Sequence, residues 1–273
     1  MINAIRALPE VVCDDSFLAN PSTLTHLVLA IPAEHTGRFV LMGDVARSFE
    51  YFGRESYAQL IQIINQALLS RSWPTPILVY GTPGNGKSHL LAALACALIR
   101  RRLDGKMSHR VIFIHDCALL EDNFVETVHS ACRLAFFDDP QALSALQLCD
   151  TVADLQRFTS RHRGHCVLIA DQKNAIDYAE RPSSSRSWMD STLKQFNDVF
   201  GPIFMRIYGQ VVCSHRTFIM RSIELDTYVS AYFQSASNHC NVLQDSSSCF
   251  RILRPPHGLT DVSRHQTSRT YSD

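Results

Sequence analysis

Ile77-Leu78-Val79-Tyr80-Gly81-Thr82-Pro83-Gly84-Asn85-Gly86-Lys87-Ser88 is the stretch on which the fold turns. Four apolar residues held between Pro76 and Gly81 suit a buried parallel strand. From Gly81 onward the chain fits G-x-x-x-x-G-K-S/T, and each fixed letter has a chemical reason. Gly81, Gly84 and Gly86 permit positive φ and close approach of the backbone to a ligand. With Thr82, Pro83 and Asn85 they form a cradle whose N–H groups, of which Pro83 supplies none, face inward at a helix N-terminus, an anion nest. In that reading Lys87 reaches the β- and γ-phosphates of a nucleotide, and the Ser88 hydroxyl completes a Mg²⁺ shell. The helix that follows, His89 to Ile99, is apolar nearly all round, as befits one wedged between a sheet and its neighbours. A Gly-rich turn without a ligand is the bland alternative; the strand before and the helix after argue against it.

A triphosphate site also needs a carboxylate for the metal's water shell at the end of a neighbouring strand. Cys166-Val167-Leu168-Ile169-Ala170-Asp171 supplies an apolar run and then an acid. The competing reading makes Asp171 a helix cap. At the next position a second acid would polarise the attacking water, but the residue is Gln172, which can orient water and cannot accept its proton. Asp177 and Glu180 are the candidate substitutes. The expectation is slow hydrolysis, with Lys87, Asp171 and Gln172 as the catalytic set, or a binding switch.

Working outward, Val111 to Ile114 reads as another buried strand, with helical patterns at 118–137 and 150–162 separated by Pro140. An amphipathic pattern at Ala58, Leu60, Ile61, Ile64, Leu68 and Leu69 precedes the loop. Strands alternating with helices predict an α/β fold of three αβα layers with a mainly parallel central sheet. Residues 1–36, broken by Pro9, Pro21 and Pro32, read as an irregular N-terminal segment, and 37–180 as the core, with 202–213 offering one more strand and a limit near 220. Residues 181–273 read as a Ser-rich, partly disordered tail.

Composition narrows the function classes. Among the 273 residues, 26 basic side chains balance 26 acidic ones, so a dedicated duplex-binding protein is not indicated. No run of about 18 apolar residues exists, which argues against a membrane span. Nine scattered cysteines without a C-x-x-C pair read as small buried hydrophobes of a reducing compartment. Met1 to Glu10 carries no leader pattern, so the default is cytoplasm or nucleus.

The order Phe52-Gly53-Arg54-Glu55, phosphate loop, strand-terminal Asp171 resembles the AAA+ and STAND group of P-loop ATPases. That resemblance implies that the G-R-E segment, here Arg54, contributes to the nucleotide pocket, and that the nucleotide is ATP. Taken alone, Gly53-Arg54-Glu55 is either a helix cap or a segment folding over the adenine. Tyr80 to Ser88, Asp116-Cys117 and Ile169-Ala170-Asp171-Gln172-Lys173-Asn174-Ala175 are similar to the P-loop domain of Crinkler-type effectors, as is the spacing of His26 to Pro32. The likeness covers about residues 26–180. It implies that Gln172 is a family trait and that the protein acts inside a host. Nothing after Pro182 reads as a nuclease or kinase-like effector domain. The alternatives are a non-hydrolysing nucleotide-dependent interaction module, in a homo-oligomer or with a protein partner, and a truncated fragment of a larger effector.

Four further signals are weaker. Arg100-Arg101-Arg102 complements a helix C-terminus, and Arg161-His162-Arg163-Gly164-His165 is a solvated turn. Asp116, at a strand end, lies on the edge where open α/β sheets bind ligands. Ser214, His215 and Arg216 would serve as a γ-phosphate sensor if a strand precedes them.

Overall fold

A computed structural model describes residues 1–31, 39, 48–70, 76–81, 84, 86–176, 186–211, 243–244 and 251–253. The chain opens with α1 (Ile2–Ala7), a 3-10 turn (Glu10–Cys13), α2 (Asp15–Ala19) and β1 (Leu24–Val28). β2 (Ser48–Phe52) pairs antiparallel with β1, Leu24 opposite Phe52 and Val28 opposite Ser48. There follow α3 (Glu55–Ser70), β3 (Ile77–Gly81), α4 (Lys87–Leu103), β4 (Arg110–Ile114), α5 (Leu119–Ala135), α6 (Pro140–Leu146) and α7 (Val152–His162). β5 (Cys166–Ala170), α8 (Arg186–Phe200), β6 (Met205–Val211), β7 (Leu243–Gln244) and β8 (Arg251–Leu253) complete the described α-helices and strands, with 3-10 turns at Arg163–His165 and Lys173–Ala175.

The main sheet runs β4-β5-β6-β3-β8-β7. Its first four strands are parallel, and β8 and β7 add antiparallel at the far edge. Alternate strand residues divide between two hydrophobic clusters, as the period of two requires. Val79, Val111, Val167 and Ile207 join α4, α3 and the N-terminal elements. Ile112, Leu168, Ala170 and Tyr208 join α5, α7 and α8. The molecule is therefore α/β with a four-stranded parallel core covered on both faces, compatible with three αβα layers.

The N-terminal segment, expected to be irregular, is ordered instead over residues 1–31. Pro9 sits at the start of the 3-10 turn and Pro21 in the turn before β1, so each falls between elements. Asp14 caps α2 by accepting from the Ser16 N–H at 2.9 Å. Ile5, Leu18, Leu27 and Leu29 are fully buried in the cluster that holds α4.

Arg100 binds the carbonyls of Ile5 and Leu8 and pairs with Asp104, while Arg101 pairs with Asp15. Arg102 pairs with Asp138 at 2.7 Å. The three arginines of α4's last turn thus fasten the N-terminal helices and the α5–α6 turn.

Pro140 occupies the first turn of α6, with Asp139 capping it, so it starts a helix as well as separating two. The core continues past residue 180, because β6 lies between β5 and β3. α8 buries Phe196, Val199 and Phe200 with Leu193 packed against them, a helical spacing that the Ser-rich flank concealed.

Candidate functional site

β3 ends at Gly81, and α4 begins at Lys87 with Gly86 as its N-cap. Gly84 and Gly86 hold φ of 83° and 71°, left-handed values that a glycine takes without strain. No acidic residue lies in the first turn of α4, a helix of 17 residues, so its positive end is not offset from within. Lys87 is 5% exposed and Ser88 half-buried. Thr82, Pro83 and Asn85 lie outside the described residues.

A second cation meets the same point. A β-carbon on Gly86 would stand 2.7 Å from Cζ of Arg54. Arg54 is presented by the short link between β2 and α3, and α2 with the turn before β1 sets that link. The Arg54 N–H donates to the Leu18 carbonyl at 2.9 Å, and the Gly53 N–H to the Thr23 carbonyl at 3.0 Å. Burial lowers the Arg54 pKa, with the Tyr51 phenol opposing it. Next in α4, the His89 ring packs on Phe39 and Phe49 at 5.1 and 5.8 Å, and burial, then Arg54, lowers its pKa. Two cationic side chains at the positive end of a helix form an arrangement that an anion would complete.

The acid arrives from the other side. β5 ends at Ala170, and Asp171 continues its register: its N–H donates to Ile114 at 2.8 Å and its carbonyl accepts from Cys117 at 3.0 Å. Its side chain leans over β6. A β-carbon on Gly209 would collide with Asp171 Oδ1 and stand 2.6 Å from Cδ1 of Leu91, in the second turn of α4. The missing side chain at 209 is what lets the carboxylate and α4 converge. An isolated Gly in a strand signals such an approach, so Tyr208-Gly209-Gln210 holds a cue to the site that the motif-led reading leaves unused.

Gln172 follows with φ 55° and ψ 41°, the sole non-glycine with positive φ among the described residues. That conformation costs roughly 1–2 kcal/mol for a side chain with a β-carbon. Its N–H donates to Asp171 Oδ1 at 2.8 Å, which fixes the carboxylate's rotamer. Both residues are buried. Asp116, on the same sheet edge, accepts from the Ala118 N–H at 2.9 Å and so shapes the entry to α5.

The structure thus brings Lys87, Ser88, Gly86 and Arg54 together, and sets Asp171 against the same helix across Gly209. Among the described residues no group of three or more His, Cys, Asp or Glu side chains gathers to hold a metal. One hydroxyl and one carboxylate suit Mg²⁺, which relies on phosphate oxygens and water for the rest of its shell. Asp177, Glu180, Ser214, His215 and Arg216 lie outside the described residues. His162 packs on Phe136 and Phe158 at 4.7 and 4.8 Å, beside the exposed Arg161, Arg163 and His165. Cys13, Cys96, Cys117, Cys132, Cys149 and Cys166 are buried free thiols, and burial pushes Cys166 up to about 12. No described helix is long and apolar enough to cross a membrane. Set against protein-family models, curated proteins and solved structures, the chain matches none.

Proposed function

We propose that the chain is a P-loop NTPase of the AAA+ and STAND type that binds ATP with Mg²⁺ and turns it over slowly. The observation that carries this reading is the Arg54 guanidinium set against Gly86, the N-cap of α4, directly before Lys87 at the acid-free start of that helix. In it, the loop amides and Lys87 hold the β- and γ-phosphates, and Arg54 lies where it can neutralise phosphate charge beside Gly86. Ser88 and, through water, Asp171 are the residues that would hold Mg²⁺. The ion supplies charge neutralisation on the phosphates when bound. Gln172 orients a water and leaves its proton to bulk solvent or to the phosphate itself, so the chemical step is slow. ATP rather than GTP, and a Crinkler-like effector setting, come from the resemblance alone.

One feature favours a second reading, a non-hydrolysing switch that shows its nucleotide state to a partner or another copy. The position after Asp171 is a neutral amide fixed in an uncommon backbone conformation.

The decisive measurement is calorimetric titration of the full chain with ATP and GTP in Mg²⁺, alongside Lys87→Ala. Saturable binding that weakens at least about tenfold in Lys87→Ala, a loss of about 1.4 kcal/mol, is expected. No saturable binding of either nucleotide, or equal binding by the two proteins, would end the reading. Phosphate release over many turnovers then separates slow enzyme from switch.

A further inference from the structure

Lys173 is 2% exposed although it follows directly on Asp171 and Gln172 at the sheet edge. A lysine taken out of water this far needs compensation. Its ammonium lies 4.9 Å from the ring centroid of Phe196 on α8 and 5.8 Å from that of Tyr208 on β6, both within cation–π range. Those rings are themselves packed edge to face, 5.9 Å apart. Tyr208 pairs with Ala170 in the sheet and directly precedes Gly209, the residue over which the Asp171 carboxylate leans.

The turn after β5 is therefore held from two sides. On one, the Asp171 backbone exchanges hydrogen bonds with Ile114 and Cys117. On the other, Lys173 anchors to the aromatic pair. Gln172 lies between, in its left-handed conformation, with the 3-10 turn Lys173–Ala175 closed by the Ala175 N–H donating to the Gln172 carbonyl at 2.8 Å. Released from one anchor, the strained residue would relax toward ordinary backbone angles. Its N–H would then leave Asp171 Oδ1, and the carboxylate would lose its fixed rotamer.

We infer that Lys173 is a positioning residue: its ammonium, seated on Phe196 and Tyr208, holds the Asp171-Gln172 turn in the geometry that the metal-side acid and the water-orienting amide need. This deepens the nucleotide reading and rests on it for its catalytic meaning. The anchoring is a property of the unliganded protein and is tested without nucleotide.

The test compares Lys173→Met, which keeps a similar stem and removes the charge, with Lys173→Arg, which keeps a cation. Replacing a buried cation by an apolar residue of similar volume is compatible with folding. Phe196→Leu removes a ring and keeps the lysine, and it answers the same question should Lys173→Met not fold. Amide hydrogen exchange of the full chain is expected to accelerate at least about tenfold at 171–176 and at Cys117 in Lys173→Met and Phe196→Leu, and to stay near wild type in Lys173→Arg. In titrations with ATP, Lys173→Met should retain wild-type affinity in EDTA and lose most of the gain that Mg²⁺ confers. Exchange in Lys173→Met and Phe196→Leu equal to wild type would overturn the inference, as would affinity lost equally with and without Mg²⁺. If wild type takes up no nucleotide, the proposed function falls, and the exchange data still decide whether Lys173 holds the turn.

Discussion

The Asp171 carboxylate lies over the α-carbon of Gly209, and Leu91 of α4 presses on the same spot. Any side chain at 209 must displace the Asp171 carboxylate and the end of the Leu91 side chain. Gly209→Ala is expected to destabilise by about 1–3 kcal/mol, the usual cost of overpacking a close-packed site. It should also weaken Mg²⁺-dependent nucleotide binding more than binding in EDTA. Urea unfolding and calorimetry read the two effects. Unchanged values in both would show that the carboxylate does not depend on the gap at 209.

Arg54 against Gly86 makes a separate prediction. If its guanidinium serves phosphate, Arg54→Ala lowers ATP affinity by about tenfold and flattens the dependence of affinity on salt, because one ionic contact is lost. AMP, with less charge to neutralise, should lose less than ATP. Equal losses for the two nucleotides would show that the guanidinium does not serve the β- and γ-phosphates.

Residues 1–31 are expected to unfold with the core. Leu18 is fully buried, and its carbonyl receives the Arg54 N–H. Leu18→Ala should cost about 2–5 kcal/mol by the usual penalty for a cavity. Circular dichroism should show one cooperative transition moved to lower urea. A midpoint unmoved from wild type would mean that these residues are an appendage.

The phosphate-loop strand, the strand ending in Asp171 and the helix from Lys87 were legible because each is a local pattern: an apolar run between punctuators, then residues with special backbone or charge. The order of the N-terminal segment was not, because β1 and β2 are far apart in sequence and their pairing, Leu27 opposite Phe49, is invisible to a local window. α8 was hidden by serines before it, although Leu193, Phe196 and Phe200 keep helical spacing. Arg54 was placed near the loop by resemblance, and the fold gives the physical reason, the hydrogen bond to Leu18. Lys173 escaped because the ring pair beneath it forms only once β6 and α8 lie beside the turn after β5, whereas Gly209 left the cue of an isolated glycine in a strand.

Acid stability should depend on Asp138. Burial raises its pKa, but Arg110 and Arg102 outweigh that and hold the carboxyl below its ordinary value. A carboxylate depressed in the fold contributes stability that is complete above its unfolded pKa, about 3.9. That contribution disappears as pH falls through the lower folded value. Asp138→Asn should therefore cost roughly 0.5–1 kcal/mol at pH 7, allowing for solvent screening of a partly exposed group. It should also reduce the loss of stability on acidification below about pH 4, where Asp138 takes up its proton. Parallel stability curves for wild type and variant down to pH 2 would contradict this.

Gln172 separates strain from chemistry. Glycine adopts φ 55° freely, so Gln172→Gly should raise stability by about 1 kcal/mol while removing the side-chain amide. If the amide orients water, that more stable protein binds ATP as wild type does and turns it over more slowly. Gln172→Glu runs the opposite way by placing a second carboxylate next to Asp171, where both residues are buried. Like charge and burial each raise the pKa of such a group. Turnover in Gln172→Glu should thus exceed wild type only at higher pH, once the new acid has lost its proton, and converge with wild type as pH falls. Steady-state phosphate release from pH 6 to 9 measures this. A gain independent of pH would mean that the added carboxylate does not act as the base, and no gain at any pH would favour the non-hydrolysing switch.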